Sequence, residues 1–234
     1  FREGTIVMKV NAVEVSAVSR HYRKKQVLRE ISFDVESGES VVIVGKNGCG
    51  KSTLLQIMAG AQKADSGSIT YFGNKVGCGK SSRKYYGYVP QENPLFEELS
   101  VKDNLKFWGA GKKENLNSVI EQFQLEEMLH MKVEKLSGGM KRRLAIACAF
   151  VELPPVLLLD EPTAALDIYY KESILEWLSK YKQMNGTIIM TSHEEQEIVF
   201  ADRCLLMDNG QMRELSRNPQ KRLEEIKTYI SKRT

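Results

Sequence analysis

What this 234-residue chain lacks narrows it first. No apolar run approaches the ~20 residues that a helix needs to cross a bilayer, so any work at a membrane requires another polypeptide to supply the spanning part. The start has no basic flank followed by a long apolar stretch, and no secretory signal is expected. Cysteine is sparse. The four residues, Cys49, Cys78, Cys148 and Cys204, form no C-x-x-C pair and no metal-like grouping with the three histidines, which fits a reduced cytosolic setting. Charge of one sign is also in short supply. The net charge is +4 and the basic runs, Arg23-Lys24-Lys25 and Lys141-Arg142-Arg143, are short, so no nucleic-acid partner is expected.

What is present is enough for a substantial core in one large domain or two small ones: 42% of the chain is hydrophobic. The first part reads as β structure. Val7 to Val15 alternates, and Val27-Leu28 with Ile31 to Val35 predicts a second strand before a Ser37-Gly38 turn. Ser40-Val41-Val42-Ile43-Val44 is a short apolar run suited to a strand buried on both faces. It leads into Gly45-Lys46-Asn47-Gly48-Cys49-Gly50-Lys51-Ser52-Thr53, and Ser52 to Ala59 has helical spacing. Gly67 to Phe72 and Tyr86 to Val89 predict further strands. From Ser100 to Val151 the apolar residues recur at helical spacing, which predicts a helical insertion. Val156 to Leu159 and Thr187 to Met190 return as buried strands with a helix, Glu172 to Tyr181, between them. That alternation is the mark of a parallel sheet. Cys204 to Met207 with Asp208-Asn209-Gly210 reads as a hairpin, and Pro219 to Lys232 as an amphipathic helix.

Strand, glycine loop, helix is the context in which a G-x-x-x-x-G-K-[ST] sequence binds phosphate. Gly45, Gly48 and Gly50, with Asn47 and Cys49 between them, let backbone amides turn inward around phosphate oxygens at a helix N-terminus. Lys51 then reaches the β- and γ-phosphates, and Ser52, followed by Thr53, offers a hydroxyl to Mg²⁺. Cys49 is read as a small side chain that suits a tight loop. A partial copy, Gly77-Cys78-Gly79-Lys80-Ser81, has Asn74 where the motif needs its first glycine and no buried strand entering it, so it is read as a surface turn.

Asp160, at the end of its strand, aims a carboxylate at the metal site, and Glu161 faces the place of an attacking water, with Pro162 fixing the turn. His193, after a strand and Thr191-Ser192, is placed to hold the γ-phosphate and the water in line; a helix-capping loop histidine is the plain alternative. Gln91, after Tyr88-Val89-Pro90, brings an amide within reach of Mg²⁺ or the water. Between the phosphate loop and the acidic strand lies Leu136-Ser137-Gly138-Gly139-Met140.

That order of elements, continued by Ala164-Ala165-Leu166-Asp167 and His193, resembles the ATP-binding cassette (ABC) ATPases, and the resemblance covers nearly the whole chain. It implies an α/β fold with a P-loop NTPase, RecA-like core, an antiparallel β subdomain and an α-helical subdomain. On that plan residues 1–234 are one nucleotide-binding domain: 7–91 and 152–210 form the core with its β subdomain, 92–151 the helical signature subdomain and 211–234 a C-terminal helix. The implied cofactors are ATP and Mg²⁺, the latter held by Ser52, Gln91 and Asp160. Tyr22 matches the aromatic that stacks on adenine in this family, though packing is an equal use for such a ring.

The resemblance also implies that Ser137, Gly138, Gly139 and Asp167 act on ATP bound to the opposite subunit, so that a dimer, of two copies or of two different cassettes, encloses a pair of ATP molecules. Hydrolysis, with Glu161, His193 and Gln91 as catalytic residues, would loosen that dimer. The expected setting is peripheral, on the cytoplasmic face of the membrane, driving separate permease subunits. Leu95, Phe96 and Trp108 are candidates both for the permease groove and for the insertion's own core. Met140 stands where Gln is common, and Met140-Lys141-Arg142-Arg143-Leu144 resembles exporter-type cassettes. A soluble ABC ATPase of a cytosolic assembly complex is the competing reading.

Overall fold

The computed structural model describes residues 10–23, 25–75, 84–109 and 115–231. Two sheets organise them. β1 (Asn11–Tyr22), β2 (Lys25–Glu36), β4 (Ser66–Tyr71) and the short β5 (Asn74–Lys75) form an antiparallel sheet in the order β2-β1-β4-β5. β3 (Ser40–Val44), β6 (Tyr86–Val89), β7 (Val156–Asp160), β8 (Thr187–Thr191), β9 (Arg203–Asp208) and β10 (Gln211–Glu214) form the second, in the order β10-β9-β3-β8-β7-β6. All its neighbours pair in parallel except β9 and β10.

The central strands are apolar throughout because each of their faces meets a different core. In β3, Val41 and Ile43 pack toward the antiparallel sheet while Val42 and Val44 pack toward the helices. β7 divides in the same way, Val156 and Leu158 against Leu157 and Leu159. Successive strand side chains point to opposite faces, so a strand with no solvent face has no polar positions to offer. The helical core is built around α2 (Val101–Trp108), α3 (Leu116–Gln122), α4 (Gly138–Phe150) and α5 (Ile168–Gln183). Phe123, Phe150, Trp177 and Tyr181 pack ring to ring inside it, with centroids 4.5 to 6.2 Å apart. The other core encloses α1 (Lys51–Met58).

Several boundaries differ from the sequence reading. The first described strand starts at Asn11, with residues 7–9 outside the described residues. The helix expected over Glu172 to Tyr181 is α5, which opens at Ile168 because the Asp167 carboxylate accepts a hydrogen bond from the Tyr170 amide at 3.1 Å and caps it. The closing elements are α6 (Glu195–Phe200) and α7 (Pro219–Ser231). Lys232 and the partial copy Gly77 to Ser81 lie outside the described residues. Asn209 and Gly210 turn the last hairpin with φ of 47° and 75°, the positive pair that a tight right-twisting hairpin demands. Among the described residues no helix is long and apolar enough to cross a membrane.

Candidate active site

The phosphate loop leaves the carboxyl end of β3 and closes on α1. Gly45 has φ of 155°, and a Cβ there would sit 2.3 Å from the Met207 carbonyl oxygen; only glycine lets the loop pass under β9 so closely. The Cys49 side chain turns inward beside it, half-buried, and burial pushes its thiol pKa up. The thiol is a packing group here and a poor nucleophile.

A cavity of about 480 Å³ opens over the loop. Asn47, Gly48, Gly50, Lys51, Ser52 and Thr53 form its floor, and Tyr22, Gln91 and Glu161 its rim. Tyr22 is 40% exposed, its hydroxyl donating to Gln62 and its ring lying 5.0 Å from the Arg20 guanidinium. Four of the expected residues make one chain of contacts across the site. Lys51 Nζ donates to Gly45 O at 2.7 Å and lies 3.1 Å from His193 Nε2. His193 Nε2 is 3.5 Å from one oxygen of Glu161, and Gln91 Nε2 donates to the other at 3.3 Å. Since an ammonium can only donate, Nε2 accepts from Lys51 and carries no proton in this arrangement. Burial, followed by the Lys51 charge, holds the His193 pKa below its ordinary value. His193 does not cap α6; Glu194 is its N-cap, and the Glu194 amide donates to Ser192 Oγ.

Glu161 adopts φ of 48°, a left-handed conformation that a side chain resists. Thr191 holds it there: its carbonyl and its hydroxyl both accept from the Glu161 amide, at 3.2 and 3.0 Å. The same hydroxyl donates to Asp160 Oδ1 at 2.6 Å. Asp160 itself is 2% exposed and does not line the cavity. Among the described residues no group of three His, Cys, Asp or Glu is arranged to hold a metal. A cation here would take a hydroxyl, an amide oxygen, a single carboxylate and phosphate oxygens, a donor set that suits Mg²⁺.

The remaining expected residues lie on other elements. Ser137 caps α4, its Oγ accepting from the Met140 amide at 3.3 Å. A Cβ on Gly138 would have open space around it. Met140 is half-buried against the helical core. Asp167, on the other side of β7, caps α5. None of Ser137, Gly138, Gly139 and Asp167 lines the cavity over the phosphate loop of its own chain. Of the insertion residues, Leu95 and Trp108 are half-buried against the core and Phe96 is exposed. Pro94 and Trp108 line a second cavity of about 540 Å³, together with Tyr88, Cys148 and Pro154.

Sequence reasoning missed Thr191, Arg142 and Glu197. Arg142 is 4% exposed within its basic run, and Glu197 is 1% exposed. Ser192 and Thr163 hydroxyls and the Arg142 charge lie near Glu197, but neither carboxylate oxygen has a well-formed hydrogen bond, and burial pushes its pKa up to about 7. The only prior signal for these residues was proximity in sequence to the acidic strand, the signature and His193.

A glycine loop running from a buried strand into a helix, with acids at the end of a neighbouring parallel strand, defines a P-loop nucleotide hydrolase. The family model for ABC transporters matches residues 28–164. The spermidine/putrescine import ATP-binding protein PotA of Mycoplasma mycoides subsp. mycoides is 37% identical over 89% of this chain and 62% of its own length. The linearmycin resistance ATP-binding protein LnrL of Bacillus subtilis is 36% identical over 86% of this chain and 67% of its own. For the sulfate/thiosulfate import ATP-binding protein CysA of Pseudomonas syringae pv. tomato the figures are 34%, 85% and 65%. The chain thus spans about two thirds of the length of these relatives. Among solved structures, the dimeric bacterial ABC transporter cassette MJ0796 superposes with a TM-score of 0.81 at 25% identity, covering 88% of this chain and 99% of the other. The chain belongs to the ABC transporter family of ATP-binding cassette ATPases.

Proposed function

We propose that this chain is the ATP-hydrolysing subunit of a transporter, and that it closes against a second cassette, its own copy or another, around a pair of Mg-ATP molecules. The observation that carries the proposal is the contact chain Lys51, His193, Glu161, Gln91, of which Lys51, Glu161 and Gln91 line the phosphate-loop cavity. Lys51 and the loop amides neutralise and orient the phosphates, with Ser52, Gln91 and Asp160 as the Mg²⁺ residues. Mg²⁺, when bound, shares the charge that builds on the phosphates. Glu161 takes the proton of the attacking water, Gln91 fixes the carboxylate through its donated hydrogen bond, and His193, once Lys51 turns to the phosphates, holds the γ-phosphate and the water in line. Tyr22 stacks on the adenine. Ser137, Gly138, Gly139 and Asp167 supply the opposing half of the partner's site, from the N-termini of α4 and α5, whose dipoles favour an anion.

The permease is a separate membrane protein, and the chain docks on it peripherally at the cytoplasmic face. The cavity lined by Pro94 and Trp108 supports this, being mostly apolar, open and lined by none of the phosphate-loop residues. For direction we propose export, on the stretch Met140 to Leu144 and the resistance-named relative; import-named relatives of similar identity weigh the other way.

The test is a pull-down of tagged Glu161→Gln chain from its own cells in mild detergent with Mg-ATP. Recovery of a stoichiometric polytopic membrane protein supports the transporter reading, and vesicles of that complex then give the direction. A soluble partner alone would replace it with the cytosolic-assembly reading.

A further inference from the structure

Arg142 sits in the first turns of α4, the helix that Ser137 opens, and its guanidinium is buried between two strand ends. Nε donates to Pro162 O at 3.0 Å. Nη2 donates to Asp160 O at 2.6 Å and Glu161 O at 3.1 Å. Nη1 donates to Pro90 O at 2.6 Å and Gln91 O at 3.4 Å, and to Asn93 Oδ1 at 3.3 Å. All but one of these acceptors are backbone carbonyls, and they belong to the two turns that present Gln91 and Glu161.

The position explains the arrangement. β6 and β7 pair in parallel up to Val89 opposite Leu159. The residue after β6 is Pro90, which has no N–H, and Pro162, two residues past the end of β7, lacks one too. The ladder ends at that pair, and carbonyls of both turns face the guanidinium; Glu161 O also accepts from the Ala164 amide at 3.3 Å. A planar fork of N–H groups fills that gap, spanning acceptors on both sides, which a single ammonium on a flexible stem cannot do. Burial lowers the Arg142 pKa to about 10, with Asp160 and Glu197 pulling the other way, so the group stays charged at neutral pH.

We propose that Arg142 is a positioning residue that replaces the missing ladder between β6 and β7, and so sets the spacing of Gln91 and Glu161 from the helix that carries the signature serine. The inference rests on the reading of Glu161 and Gln91 as the pair that orients the water. Arg142 does not line the phosphate-loop cavity; it fixes the two main-chain turns from which those side chains project. Any shift of α4 is carried to both turns through one rigid group.

The experiment compares kcat, KM and the affinity for a non-hydrolysable ATP analogue in the purified chain, its Arg142→Lys and Gln91→Ala variants, and the double variant. Arg142→Lys is expected to lower kcat about tenfold or more while analogue affinity stays within about threefold, because the charge remains and the fork is lost. In the Gln91→Ala background the same change is expected to cost less than in the unmutated chain, since the part of its effect that acts through Gln91 is already lost while the part through Glu161 remains. An unchanged kcat, or losses that multiply, would overturn the inference, the second outcome leaving Arg142 a fold-stabilising residue only. If Arg142→Lys does not fold, Asn93→Ala tests the same fork from its exposed end: about a two- to fivefold fall in kcat is expected from one lost acceptor, and no change overturns the proposal. Glu161→Gln, assayed alongside, separates the two readings. Turnover persisting there refutes the base assignment, whatever Arg142 does.

Discussion

The ring of Tyr170 fills the space that a side chain on Gly139 would need: a Cβ built there would be 2.4 Å from the ring carbon Cδ2. The second glycine of the Ser137-Gly138-Gly139 stretch is thus a packing requirement between α4 and α5. Arg143 lies against the same ring, 5.3 Å from its centroid.

Gly139→Ala is therefore expected to lower stability by about 1 to 3 kcal/mol, the usual cost of overpacking. Tyr170→Ala in the same chain should recover most of that loss by removing the obstacle. Urea unfolding of both single variants and the double variant measures it; additive losses would refute the contact as the cause.

Glu161→Gln removes the proposed base and keeps the shape. Turnover is expected to fall by about 100-fold or more, the usual contribution of a general base, with the affinity for ATP retained. Steady-state hydrolysis and equilibrium binding on the same preparation check both halves.

Lys51→Ala should act at the other step. Its ammonium is buried at the loop, 5% exposed, and supplies charge that the backbone amides cannot. Binding of a fluorescent ATP analogue is expected to weaken at least about tenfold, or about 1.4 kcal/mol, and an unchanged Kd would remove the lysine from the phosphate site.

Glu197 predicts a pH dependence. Its carboxyl keeps a proton in the folded protein up to about pH 7, whereas in the unfolded chain it ionises near pH 4. The folded state holds the extra proton between those values, so its stability falls as pH rises through the window, and the penalty is complete above about 7. Glu197→Gln should accordingly stabilise the protein by about 2 to 3 kcal/mol at pH 8 and much less at pH 5. Denaturant titrations at the two pH values decide it; an equal effect at both would contradict the buried ionisation.

The phosphate loop and the strands around it were legible because their demands fall on residue types: glycine where the backbone approaches Met207, unbroken apolar runs where a strand has two covered faces. The order of Gln91, Ser137, Asp160, Glu161 and His193 was legible for a different reason, since it matched a family pattern. Arg142 and Glu197 were not. An arginine in a basic run reads as surface, and the acceptors that bury this one are main-chain carbonyls, which leave no trace in sequence. α5 begins at Ile168, ahead of the spacing seen from Glu172 to Tyr181, because its first turn rests on the Asp167 cap and not on an apolar face.

At the far end of α1, away from the phosphates, two tyrosines close the helix. Tyr71 of the antiparallel sheet donates to Met58 O at 2.9 Å, and Tyr86 of the parallel sheet donates to Ala59 O at 2.6 Å. The last carbonyls of a helix ordinarily fray into solvent; here they are claimed by both layers at once. In hydrogen-exchange terms this merges α1 and the two sheets into one cooperative unit, so that the helix amides open only when the layers separate. The protection of α1 would then report on the cohesion of the whole cassette, and the loop at its other end could rearrange around a nucleotide without loosening it.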